Sequence, residues 1–209
     1  MLRALAMSGG ARTENMSSEE TLNPWRTTSS KKVYENEWIG VREDAVVRPD
    51  GLPGIYGVVH FKHVAVGVFA VEGDEVYLVG QYRYPLNAYS WEIPEGGCAQ
   101  GEDPLEAARR ELEEETGLRA EHWVRLGEAH LSNSVSDEHA LWFLATDLTQ
   151  GAQRPEGSER ISVRKVTLAC ALAMALNGEI TDALSLLAIM RYHFMRSPET
   201  TPLQGNAAV

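Results

Sequence analysis

The residue types best suited to chemistry are concentrated in one stretch, Gly96–Leu118, which reads GGCAQGEDPLEAARRELEEETGL. Glu111 and Glu115 lie four residues apart and Glu114 lies three from Glu111, so on a helix the three carboxylates share one face. Like charges at this spacing repel, and Glu113 adds a further acid beside them. Taken alone, such a run is a solvated helix face. Its other use is to gather hard oxygen ligands around Mg²⁺, an ion that keeps several waters and shares its shell with substrate phosphates. The neighbouring residues favour the second use. Arg110 can hold carboxylates in place with its forked guanidinium. Gly96 and Gly97, after Pro94 and Glu95, are expected to form a loop whose backbone approaches a ligand and offers it a carbonyl. Glu102 stands where the helix begins, and Gly117 stops it just past the last acid.

Those acids need a helix, and the sequence supplies its limits. Asp103 is placed to cap it, Pro104 suits its first turn, Leu105, Ala108 and Leu112 form an apolar stripe, and Gly117 is the C-cap. Upstream, Lys32–Tyr34, Ile39–Val47 and Ile55–Phe61 read as strands, with a turn at Pro49–Gly54. His63–Val71 and Glu75–Tyr82 form a second hairpin, and Trp91–Ile93 is one more short strand. Downstream, Ala120–Glu128, Ala140–Ala145 and Ile161–Lys165 are strands, followed by helices Leu168–Leu176 and Thr181–Met195. This order predicts an α/β architecture, a mixed sheet covered by helices. The division expected is an arm at 1–22, an N-terminal β-sheet at 23–61, a main domain at 62–196 and a flexible tail at 197–209.

Composition narrows the partners. In 209 residues, 30 acids against 19 bases give a net charge of −11, which argues against a nucleic-acid binder because nothing would neutralise phosphates in bulk. Small phosphorylated ligands stay open, since a divalent metal can mediate between acid and acid. Cys98 and Cys170 make no disulfide framework and fit a reducing cytoplasm. No apolar stretch reaches the roughly 18 residues of a membrane span, so a cytoplasmic location is expected. His60 and His63 are three apart and point to opposite faces of an extended chain, which disfavours a zinc pair.

Gly96, Glu102, Arg110-Glu111-Leu112, Glu114-Glu115 and Gly117-Leu118 match the Nudix box, Gx5Ex7REUxEExGU, at every fixed position. The chain thus resembles the Nudix hydrolases. The resemblance implies an α/β/α sandwich and hydrolysis of a nucleoside diphosphate linked to another moiety, with Mg²⁺ or Mn²⁺ as cofactor. It makes Glu111 and Glu115 the first candidates for metal ligands, then Glu114, with the Glu95 carbonyl completing the site. It makes Glu102 and Arg110 supports of the acids. Physical chemistry agrees: divalent ions would neutralise the pyrophosphate and lower the pKa of a bound water, so no nucleophilic side chain is required.

The flanks resemble the branch that hydrolyses ADP-ribose and nucleoside diphosphate sugars. Gly80-Gln81-Tyr82-Arg83-Tyr84-Pro85 and Trp91-Glu92-Ile93-Pro94-Glu95 imply diphosphate contact by Arg83, with Glu92 near the ligand. Ser132–Glu138 resembles that branch's SPGFSDE loop and makes Glu138 the candidate general base, or else a ligand in the metal shell. Glu138, Glu114 and Arg110 form the expected catalytic set. Asn133 stands where many ADP-ribose pyrophosphatases carry proline, which favours a broader nucleotide-sugar range. The branch also implies a homodimer that exchanges the N-terminal sheet, with Trp38 and Tyr56 either stacking on the base or packing in the core or dimer contact. The alternatives are a Nudix hydrolase of GDP-mannose or nucleoside triphosphates, and a non-catalytic ligand sensor.

Overall fold

The computed structural model describes residues 22–153 and 160–196. Apart from Leu22, the expected arm and tail lie outside these residues. Among the described residues ten strands and three α-helices follow one another as β1 (Arg26–Glu35), β2 (Ile39–Val47), β3 (Pro53–Phe61), β4 (Val64–Glu72), β5 (Glu75–Arg83), β6 (Ala88–Glu92), β7 (Glu95–Cys98), α1 (Pro104–Thr116), β8 (Leu118–His130), β9 (His139–Gln150), β10 (Ser162–Thr167), α2 (Leu168–Leu176) and α3 (Ala183–Arg196). None of the described helices is long and apolar enough to cross a membrane.

Strands β1-β2-β3 form a separate antiparallel sheet. The other seven form a mixed sheet in the order β10-β5-β4-β9-β8, with β6 paired to β5 and β7 paired to β4. Its parallel pair is β4 with β9, running from Ala65 opposite Ala140 to Ala70 opposite Ala145. These two strands read as near-continuous apolar runs because both of their faces are covered. Val66, Val68, Ala70, Leu141 and Phe143 meet Ala107, Ala108 and Leu112 of α1 on one side. Phe69, Val71, Ala140 and Trp142 meet Met174 of α2 and Leu184, Ala188 and Ile189 of α3 on the other. The result is helix, sheet, helix.

Helix α1 begins and ends where its residue types require. The Asp103 carboxylate accepts from the Leu105 N–H at 2.8 Å and from the Glu106 N–H at 3.4 Å. Gly117, at φ 72°, closes the helix in the left-handed conformation and donates its N–H to the Glu113 carbonyl.

Four expectations change. The predicted strand at Trp91–Ile93 is the end of β6, which starts earlier and stops at Glu92, and the predicted glycine loop at Gly96-Gly97 lies within a further strand, β7, opposite Val66 and Ala65. Pro94 has no N–H, so the ladder with β5 stops there, while its carbonyl accepts from Val68 N–H and the chain crosses to β4. Strand β1 extends well beyond Lys32–Tyr34 and is exposed along its full length. Its polar sequence carries no burial pattern, and pairing with β2 defines it. Helix α3 starts at Ala183, where the Asp182 carboxylate accepts the Ser185 N–H at 2.7 Å.

Candidate active site

The acidic face of α1 is organised around Arg110. Its Nη1 donates to Glu111 at 2.7 Å and to Glu114 at 3.0 Å, its Nε to Glu102 at 3.2 Å, and its Nη2 to the Gly97 carbonyl at 2.9 Å. Burial alone would lower the Arg110 pKa, but the bonds to these carboxylates overcome it and the shift is upward. Glu102 in turn is held below the usual carboxylate range by Arg110 and by the Ala99 N–H it accepts. One arginine thus ties the start of α1, its acidic face and β7 together.

Glu115, only 1% exposed, faces the sheet, and its Oε2 accepts the Glu95 N–H at 3.0 Å. Glu111 lies against Gly96 so closely that a Cβ there would fall 2.1 Å from the Glu111 Cδ. No other residue type fits at 96 without moving that carboxylate. Gly97 is different: a Cβ would meet His63 at an ordinary 3.5 Å. Among the described residues no three acidic, histidine or cysteine side chains converge into a preformed metal cage. Arg110 draws Glu111 and Glu114 together, whereas Glu115 is turned toward Glu95. The donor set is all carboxylate and carbonyl oxygen, which fits a hard divalent cation rather than a soft one.

Arg83, at the end of β5, grips Glu92 through Nε and Nη2 and reaches Glu95 at 2.6 Å. Glu92 is 2% exposed, so the sequence expectation that it lies near the ligand becomes an indirect one: its carboxylate aims Arg83. Burial opposes the Arg83 charge, but Glu92, Glu95 and Asp182 more than compensate and keep it protonated. Burial, then Asp182 and Glu92, pushes the Glu95 carboxyl well above its ordinary range. Between Glu92 and Glu95 the backbone is fixed by Ser185, fully buried on α3, whose Oγ accepts the Ile93 N–H at 2.8 Å.

A cleft of about 330 Å³ lies between these groups, lined among others by Trp38, His63, Arg83, Glu95, Gly96 and Glu138. Glu138 therefore faces the diphosphate-binding candidate across one cavity, although 55 residues separate them in the chain. Burial, reinforced by Asp182, raises the Glu138 pKa. The Trp38 ring stands 5.4 Å from that of His63 and is largely exposed. Tyr56 lies elsewhere. It is in edge contact with Trp25, and its hydroxyl donates to the Ser134 carbonyl at 2.7 Å.

Asp182, His63 and Ser185 were not singled out from the sequence as site residues. Asp182 sits just before an apolar helical run, which marks it as a cap; that it also faces the cleft depends on how α3 crosses the sheet. His63 and Ser185 carry no local signal, since each gains its role from a segment distant in the chain.

Comparison with known proteins agrees with this geometry. Residues 61–184 match the model of the NUDIX domain, and residues 25–59 match that of the nucleoside diphosphate sugar hydrolase N-terminal domain. The chain is 33% identical to an ADP-ribose pyrophosphatase of Bacillus subtilis over 168 residues, covering 78% of this chain and 90% of that one. It is 31% identical to an ADP-ribose pyrophosphatase of Mycobacterium tuberculosis over 176 residues, covering 81% and 83%. A crystal structure of an ADP compounds hydrolase superposes with a TM-score of 0.74 at 20% identity, over 84% of this chain and 96% of that one, and so shares the fold. Two domain matches in the same order as the two sheets, together with an intact box on α1, establish that the chain belongs to the Nudix hydrolase family, whose members act on phosphoanhydride bonds with the help of a divalent cation.

Proposed function

We propose that the cleft hydrolyses ADP-ribose and related nucleoside diphosphate sugars to a nucleoside monophosphate and a sugar phosphate, with Mg²⁺ or Mn²⁺ as cofactor. The observation that carries this reading is that Arg83, Glu95, Gly96 and Glu138 line one cavity, with the Glu111 carboxylate packed directly behind Gly96. Glu111, Glu115 and Glu114 would hold the cation together with Glu95. When bound, it would neutralise the diphosphate and make a water acidic enough to attack at neutral pH. Arg83, held by Glu92 and Glu95 through Nε and Nη2, meets diphosphate oxygens with its Nη1 donors and its charge. Glu138 accepts the proton of the attacking water. Trp38, exposed at the mouth, offers a ring face on which a base can stack.

The relatives' names favour ADP-ribose among nucleotide sugars. A panel of ADP-ribose, other nucleotide sugars and nucleoside triphosphates, read by product chromatography, tests the assignment; preference for triphosphates would overturn it. In the same assay Glu115→Gln should cut turnover by about two orders of magnitude or more. Its stability should stay near wild type, because the glutamine carbonyl can still accept the Glu95 N–H. Normal turnover would remove Glu115 from the metal site.

We further place the protein in the cytoplasm as a homodimer. The free thiols of Cys98 and Cys170 suit a reducing compartment. The N-terminal sheet exposes Val33, Tyr34, Trp38 and Ile55, apolar surface of the kind a second subunit covers.

A further inference from the structure

The segment Ser134–Glu138 is fastened to the N-terminal sheet, and this attachment rests on five interactions. Val59 N–H donates to the Val135 carbonyl at 2.9 Å, and Asp137 N–H donates to the Val59 carbonyl at 3.2 Å. This makes a parallel bridge on the edge of β3, between Val59 and Ser136. The Asp137 carboxylate accepts the Phe61 N–H through Oδ1 at 2.9 Å and meets His60 Nδ1 through Oδ2 at 2.5 Å. Tyr56 closes the set by donating its hydroxyl to the Ser134 carbonyl at 2.7 Å. The first covalent neighbour beyond this clamp is Glu138, whose side chain lines the cleft.

We propose that Tyr56, His60 and Asp137 are positioning residues, a latch by which the N-terminal sheet sets the place of Glu138 over the substrate. The proposal rests on the reading of Glu138 as general base and deepens it. Five residues of loop, most of them exposed, do not by themselves hold a carboxylate to the tolerance proton transfer needs. An edge strand with unsatisfied backbone groups can hold it, because added pairing fixes the loop at two backbone positions. Asp137 extends that pairing with a side chain: one oxygen takes the next free N–H of β3, the other takes His60. The burial that would raise its pKa is outweighed by these two donors, so the carboxylate stays ionised and keeps its grip at neutral pH. Tyr56 gains a role different from base stacking, since its hydroxyl, not its ring, reaches the loop.

The test separates the hydroxyl from the ring. Tyr56→Phe keeps the ring and breaks the latch, so kcat should fall about tenfold with KM nearly unchanged. Asp137→Ala should lose more, and Asp137→Asn, which can still accept the Phe61 N–H, should recover part of the loss. In a Glu138→Gln background neither Tyr56→Phe nor Asp137→Ala should lower the residual rate further, as expected when residues act through one group. Hydrogen exchange on the same full-length variants should show faster exchange at Val59, Phe61 and Asp137 and unchanged exchange along β4. Wild-type exchange and kcat in Tyr56→Phe would overturn the latch. A raised KM with unchanged kcat would overturn it in favour of substrate stacking, and further loss in the Glu138→Gln background would assign these residues a merely structural part. Full activity of Glu138→Gln alone would instead defeat the underlying assignment of the base, a result the exchange rates do not depend on.

Discussion

Gly96 shows how much function one missing atom can carry. The space its Cβ would occupy is filled by the Glu111 carboxylate at 2.1 Å, the mobile end of a side chain. Gly96→Ala should therefore leave the fold intact and swing Glu111 away, so activity and the affinity for Mg²⁺ both drop by at least about tenfold while the melting temperature changes little. Titration calorimetry with Mg²⁺ and a thermal melt check both halves. Asp182 acts through charge. Burial and then Asp182 raise the Glu138 pKa, and a base works only when ionised, so kcat/KM should fall as pH drops through that raised value. Asp182→Asn removes a like charge, lowers the Glu138 pKa and should move the acid limb of the profile to lower pH. A limb that stays in place or moves upward contradicts this coupling. Glu111, Glu114 and Glu115 were legible, because their spacing puts them on one helical face and the match to the Nudix box gave that face a use. Asp182 was not, since charge coupling depends on distances that no local pattern encodes.

At the scale of elements, the cleft depends on where strands stop. Pro94 ends the β5 ladder and sends the chain to β4, which brings Glu92 and Glu95 to the same arginine on either side of the break. The break is steadied from α3, where Ser185 accepts the Ile93 N–H inside the core. Ser185→Ala would leave that buried donor without its partner and should destabilise the protein by about 1–3 kcal/mol. Urea denaturation should then show a lower midpoint at unchanged slope. The helix limits were readable from Asp103, Pro104 and Gly117, each a residue whose local chemistry dictates its position. The division into β6 and β7 was not, although Pro94 was in plain view. Proline says that a ladder cannot continue, while the identity of the next strand's partner is a long-range matter. Strand β1 was underestimated for the same reason, since its alternation carries no apolar face and only pairing with β2 reveals its length.

On the scale of the whole molecule, the two sheets have unequal support. The central strands of the seven-stranded sheet are buried between helices, whereas β1 is exposed from end to end in the single chain. A small sheet with one unpacked side is marginal in water. The proposed homodimer therefore predicts a light-scattering mass twice that of the chain, and Val33→Glu with Ile55→Glu should shift it toward monomer by placing charges on the covered surface. A wild-type monomer at micromolar concentration would count against the dimer. By itself the sequence determined the helix that bears the acids, because helix caps, apolar periodicity and the spacing of charged residues act within a few residues of chain, and the class of chemistry followed from its resemblance to the Nudix box. Only the tertiary structure decided that Arg83 is aimed by Glu92, that Glu111 rests on Gly96 and that Tyr56 holds the loop of Glu138. Those contacts join different elements, nine residues apart for Arg83 and Glu92 and 78 apart for Tyr56 and Ser134, and their geometry is set by strand register and helix crossing rather than by any residue's own preference.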